Sequence, residues 1–100
     1  MIQHIVFLSW KEGADDKAVE DALGSLSGLS GIDGVSDVHY GRNINQTGHR
    51  FTHAVTIKIR DRETLQIFAQ HPLHVASIQK MGPLMAEFIS IDFELEAAPR

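Results

Sequence analysis

Ile2-Gln3-His4-Ile5-Val6-Phe7-Leu8-Ser9-Trp10 alternates so that Ile2, His4, Val6, Leu8 and Trp10 take one side of a strand and Gln3, Ile5, Phe7 and Ser9 take the other. Both sides are largely apolar. A strand of this kind sits in a sheet whose two faces are both covered, and the rest of the chain must supply the covers. Beyond the loop Lys11-Glu12-Gly13-Ala14, Asp15 or Asp16 is placed to cap a helix running to about Leu29, with Ala18, Val19, Ala22, Leu23, Leu26 and Leu29 as its apolar stripe. Gly28, Gly31 and Gly34 end it and turn the chain.

Val35 to Asn43 predicts a second strand with Val38 and Tyr40 on one face and Asp37 and His39 on the other, followed by the polar loop Asn45-Gln46-Thr47-Gly48-His49. Phe51 to Arg60 predicts a third, in which His53 shares a face with Val55, Ile57 and Ile59. Asp61 caps a short helix carrying Leu65, Phe68 and Ala69, and Pro72 forces a break before a helical piece with Val75, Ile78 and Met81. Gly82-Pro83 interrupts that piece, and Phe88 to Leu95 alternates as the last strand before a frayed tail, Ala97 to Arg100.

Strand, helix, strand, strand, helix, strand is the split βαββαβ order of an α+β, ferredoxin-like fold with a four-stranded antiparallel sheet. Right-handed crossovers place both helices on one face and leave the other bare. Ile5, Phe7, Val38, Tyr40, Ile89, Ile91 and Phe93 are more apolar residues than the helices can also cover, and a monomer rarely exposes so large a patch. A second sheet has to cover it. The expected partner is a second copy of the chain, the two sheets facing each other as a dimeric α+β barrel.

One hundred residues with 43% hydrophobic content and no visible linker predict a single domain over residues 1–100. Ile5-Val6-Phe7-Leu8, the longest apolar run, is too short to cross a bilayer, and the N-terminus lacks the pattern of a secretory signal, so a cytoplasmic protein without membrane partners is expected. With no cysteine there is no disulfide, thiolate metal site or cysteine nucleophile. A net charge of −4 with nine Lys and Arg scattered singly offers no track for nucleic acid.

The chemistry gathers around Gln70-His71-Pro72-Leu73-His74. Pro72 in a first helical turn puts His74 near unpaired backbone amides, which disfavour imidazolium and suit a neutral general base. His4, His53 and Asp92 all take strand positions able to face the helices, so three imidazoles and a carboxylate can converge. Asp92 is then expected to hold one ring nitrogen of His74 and leave the other free. No serine is placed as a nucleophile, which favours proton abstraction beside a carbonyl over acyl transfer. Against this stand satisfied, semi-buried structural roles for His4 and His53, a loop-tying role for His71, surface roles for His39 and His49, and a metal site built from His4, His53 and His74.

The chain also resembles a known family, the stress-responsive dimeric α/β barrel (Dabb) domains, in His4 with Ile5-Val6-Phe7-Leu8 and Lys11, Tyr40-Gly41-Arg42-Asn43, Thr52-His53-Ala54-Val55, His71-Pro72-Leu73-His74, Gly82-Pro83-Leu84 and Ile91-Asp92-Phe93. The resemblance implies a homodimer with a pocket inside each protomer, between sheet and helices. Carried over from the family's plant polyketide cyclases, which use no metal or organic cofactor, it implies His74 as base, Asp92 as the carboxylate that orients it, and a substrate pocket including His4, His53, Val55 and Phe68. Phe68 stands where those cyclases have a catalytic tyrosine and Leu26 where they have a second one, so the hydroxyl that polarises a carbonyl is missing.

The reading is a Dabb-type homodimer that binds a small carbonyl-containing, hydrophobic or aromatic metabolite, with cofactor-free, metal-free acid-base chemistry of the cyclase or lyase type. The alternatives are a non-catalytic stress-protective dimer with a filled interior, and a cofactor-independent monooxygenase of similar barrel shape.

Overall fold

The computed structural model describes residues 1–45, 47 and 50–96; the expectations for His49 and for the tail from Ala97 lie outside them. The elements are β1 (Ile2–Trp10), α1 (Asp16–Gly24), a 3-10 segment (Ser25–Gly31), β2 (Val35–Arg42), β3 (His53–Ile59), α2 (Arg62–Gln70), α3 (Pro72–Met81), a 3-10 turn (Gly82–Leu84) and β4 (Met85–Glu94). The strands form one antiparallel sheet in the order β2-β3-β1-β4, so the ferredoxin-like prediction holds. β1 lies inside the sheet, paired to β3 on one side and β4 on the other.

Each helix starts where its side chains can satisfy orphaned amides. Asp15 accepts from the Ala18 amide at 3.0 Å and Asp61 from the Thr64 amide at 2.8 Å. His71 caps α3 by accepting from the Leu73 amide at 3.1 Å, which gives this residue a structural role. The first helix is shorter than expected. Its α-helical part ends at Gly24 rather than near Leu29, because the Ser-Gly-rich run that follows bonds its own backbone: Ser25, Ser27 and Ser30 hydroxyls donate to the carbonyls three residues back. Leu26 and Leu29 are buried nonetheless.

The sheet contributes Ile2, Leu8, Val55, Ile57 and Ile59 to the core, and the helical layer contributes Leu23, Leu26, Leu29, Phe68 and Met81. On the opposite face Ile89, Ile91 and Phe93 stay 45–46% exposed. One assignment to that face needs correcting. Val38 packs against the core and Tyr40 pairs with Val55, on the helix side, while His39 pairs with Thr56. Asp37, at φ 49°, is the reason: the ladder jumps between Ser36 and His39, and the bulge inverts the side-chain alternation that an unbroken strand would keep from Val35.

β4 begins at Met85, three residues before the predicted Phe88, and joins β1 through pairs that include His4 with Asp92 and Val6 with Ser90. No helix among the described residues is long and apolar enough to cross a membrane.

Candidate functional site

Between the sheet and the helical layer lies a chamber of about 380 Å³. Its floor carries His4, Val6, Val55 and Ile57 from β1 and β3, and its walls carry Leu26, Leu29 and Phe68 together with Ser77 and Met81 of α3. Met85, Ala86, Phe88 and Ser90 of β4 complete the opening side, where Phe88 is 60% exposed.

His74 lines this chamber, and the break at Pro72 explains how it is held. In an unbroken helix the Leu73 amide would bond to the Ala69 carbonyl, but that amide is taken by the His71 ring. The freed Ala69 carbonyl instead pairs with Nδ1 of His74 at 3.1 Å. A carbonyl can only accept, so Nδ1 donates and the neutral ring keeps its lone pair on Nε2.

Asp92 is not the group that orients His74. It sits directly across the ladder from His4, and His4 Nδ1 donates to Asp92 Oδ1 at 2.5 Å, with the imidazole 12% and the carboxylate 37% exposed. The physical reason is register: cross-strand partners on one face have Cβ atoms about 5 Å apart, whereas His74 descends from a helix above the sheet. Two imidazoles therefore border the chamber with separate anchors. Phe68 packs against both, 5.5 Å from the His4 ring in an edge contact and 4.4 Å from the His74 ring in a tilted one.

His53, expected in the same pocket, is elsewhere. It pairs with Leu8, four residues along β1 from His4, a displacement of roughly 13 Å at strand rise. Sharing a face did not mean sharing a place on it. Its Nδ1 accepts from the Trp10 indole N–H at 3.1 Å, in a separate depression with Lys11, Val19, Leu23 and Arg42. Burial, and then the positive charge of Arg42, hold the His53 pKa below its ordinary 6.5. The metal site from His4, His53 and His74 is accordingly not assembled: among the described residues no group of three or more His, Cys, Asp or Glu is arranged to hold an ion. Of the expected pocket residues, His4, Val55 and Phe68 line the chamber with His74. The Ala69 carbonyl was missed because backbone groups leave no mark in residue type, whereas Ser77, one turn beyond His74, was open to a helical count.

The family profile of the stress responsive A/B barrel domain (Dabb) matches residues 2–95. The chain belongs to the Dabb family. Stress-response A/B barrel domain-containing protein DABB1 of Arabidopsis thaliana is 24% identical over 103 residues, covering 99% of this chain and 49% of that protein. This Dabb chain thus spans about half the length of that curated relative. A dimeric ferredoxin-like protein of unknown function from Thermobifida fusca superposes with a TM-score of 0.83 at 22% identity, covering 94% of this chain and 90% of the other. The hydroxynitrile lyase of Passiflora edulis superposes with a TM-score of 0.86 at 17% identity, covering 98% and 96%. At such identities the two structures share the fold of this Dabb chain.

Proposed function

We propose that this Dabb chain, as one domain over residues 1–100, forms a homodimer through its bare sheet face and binds a small carbonyl-containing or aromatic molecule in the chamber of each protomer. There it carries out acid-base chemistry with His74 as the base. The observation that carries this reading is the chamber itself, apolar over most of its wall, with two imidazoles whose Nδ1 atoms are engaged and whose Nε2 atoms are left over. A protective dimer with a filled interior fits an open chamber of about 380 Å³ less well.

In this scheme the Ala69 carbonyl, in place of Asp92, keeps His74 in the tautomer a base needs. Asp92 is a positioning residue that acts through His4. Phe68 supplies shape and no hydrogen bond, and with the Nδ1 atoms of His4 and His74 engaged, a substrate hydroxyl or N–H would find its acceptor on an Nε2. The dimer is supported by the exposed Ile89, Ile91 and Phe93, and by the dimeric state of the Thermobifida fusca neighbour. A hydroxynitrile lyase on the same fold supports reaction by proton transfer as the class to test first.

Acetophenone titrated into the isotopically labelled protein should shift resonances of Val55, Phe68 and Leu29, and Ala86→Trp, which plugs the opening from an exposed position, should abolish those shifts. Shifts scattered over the surface, or surviving the plug, would refute the chamber as a ligand site. Once a substrate is known, His74→Ala should abolish turnover and Asp92→Asn should reduce it. A His74→Ala protein of full activity removes the base assignment.

A further inference from the structure

We infer that His71 is a positioning residue for His74: it clamps the backbone on both sides of that residue and so fixes where the imidazole stands. The consequence for turnover rests on His74 being the base, whereas the placement itself does not.

The backbone of His71 and one nitrogen of its ring are all spent on the segment from Phe68 to Val75. Its amide donates to the Phe68 carbonyl at 3.2 Å, its carbonyl accepts from the Val75 amide at 2.9 Å, and its Nδ1 accepts from the Leu73 amide at 3.1 Å. Leu73 and Val75 flank His74, so one residue holds the amide before it and the amide after it. The Ser77 hydroxyl donates to the His74 carbonyl at 2.8 Å. With its backbone held in this way, the His74 ring reaches back five residues to the Ala69 carbonyl, Nδ1 at 3.1 Å. A carbonyl can only accept, so that nitrogen carries a proton whether the ring is neutral or charged.

α3 differs from the other two helices in its cap. α1 and α2 both begin on an aspartate, while α3 begins on an imidazole, and a ring that accepts through Nδ1 is uncharged. An aspartate there, three residues before His74, would put a full negative charge on the same helical turn as the base. The uncharged acceptor holds the turn without that charge. Pro72 makes the break by lacking an amide, and His71 sets how the chain restarts after it.

The test separates the acceptor of the His71 ring from its bulk. Asparagine carries an oxygen on Cγ where histidine carries Nδ1, leucine has bulk without an acceptor, and alanine has neither. Wild type, His71→Asn, His71→Leu and His71→Ala, each with nitrogen-labelled histidine, are compared by NMR at about pH 8.5, above the ordinary histidine range. The His74 signals are those that vanish in His74→Gln. Wild type and His71→Asn should show a His74 ring fixed with its proton on Nδ1. His71→Leu and His71→Ala, with the amide signals of the sheet unchanged, should lose that pattern to an average of the two tautomers, and their Leu73 amide should exchange with solvent roughly fivefold faster, as expected for a lost cap. Should His71→Ala not fold, His71→Leu gives the same reading. A His74 ring that keeps its pattern in a folded variant without the acceptor overturns the inference. So does a ring that loses its pattern in His71→Asn, or a wild-type ring with no proton on Nδ1. None of these readings uses turnover, so failure of the clamp and failure of His74 as the base are told apart.

Discussion

The two faces of this sheet are built from much the same residue types and end in opposite surroundings. On the helix side Leu8, Val55, Ile57 and Ile59 are at most 3% exposed, while on the other side Ile89, Ile91 and Phe93 are 45–46% exposed. β1 feeds both, with Leu8 paired to His53 and Phe88, and Phe7 paired to Ala54 and Ile89. What separates the faces is the layer above them. Right-handed crossovers send every helix to one side, so burial is decided by connection handedness and not by hydrophobicity at each position. The covered face is itself unevenly covered. The chamber interrupts the packing between sheet and helices, bordered by Val6 and Val55 on the sheet, Ser77 and Met81 on α3, and Phe88 and Ser90 on the edge strand β4.

The contrast can be broken most severely at Phe68, the large side chain that joins the helical layer to the chamber wall at 2% exposure. Phe68→Ala should cost about 3–5 kcal/mol in urea unfolding, because the ring's contacts with both imidazoles are lost along with its buried area. A loss near zero would mean that the layer collapses into the space.

The bare face should respond differently. If a second copy covers it, Ile91→Asp places a charge in a dry interface and should weaken association by at least about a hundredfold, near 2.7 kcal/mol, with circular dichroism unchanged. Sedimentation giving the same mass for wild type and variant would show that this face is not the contact.

A smaller effect is expected at Asp61, which anchors α2 over the covered face by accepting from both the amide and the hydroxyl of Thr64. Asp61→Ala should lower the urea midpoint by less than either change above. These hydrogen bonds from Thr64 hold the Asp61 pKa below its ordinary 3.8, so the carboxylate's contribution is complete above that value and is lost as pH falls through the lower folded one. The wild type should therefore show an acid-side stability slope that the variant lacks.

The least effect belongs to His53 at the corner of the covered face. Burial and Arg42 lower its pKa below 6.5, so the unfolded chain binds the extra proton first: stability is complete above about pH 6.5 and declines as pH falls toward the folded value. Comparing thermal melts of wild type and His53→Gln between pH 7.5 and 5.5 should show the slope in the wild type alone.

Much of this was open to reading in one dimension because it depends on near neighbours in the chain. The alternation of Ile2 to Trp10, the caps at Asp15 and Asp61, and the break at Pro72 are set within a few residues, and each appears where the pattern placed it. The shortened first helix was also local, written in Ser25, Ser27 and Ser30, but competition between a hydroxyl and the backbone is hard to weigh against an apolar stripe that continues to Leu29.

By itself, then, the order of residues determined the elements, the family, and that His4, Phe68, His74 and Asp92 belong to the helix side of the sheet. Only the tertiary structure decided that Asp92 meets His4 and leaves His74 to a backbone carbonyl, that His53 lies too far along the sheet to join them, and that a bulge at Asp37 turns Tyr40 over. The reason is that a hydrogen bond depends on a few ångströms, and those are set by strand register and helix placement between segments up to 88 positions apart, where no local preference reaches.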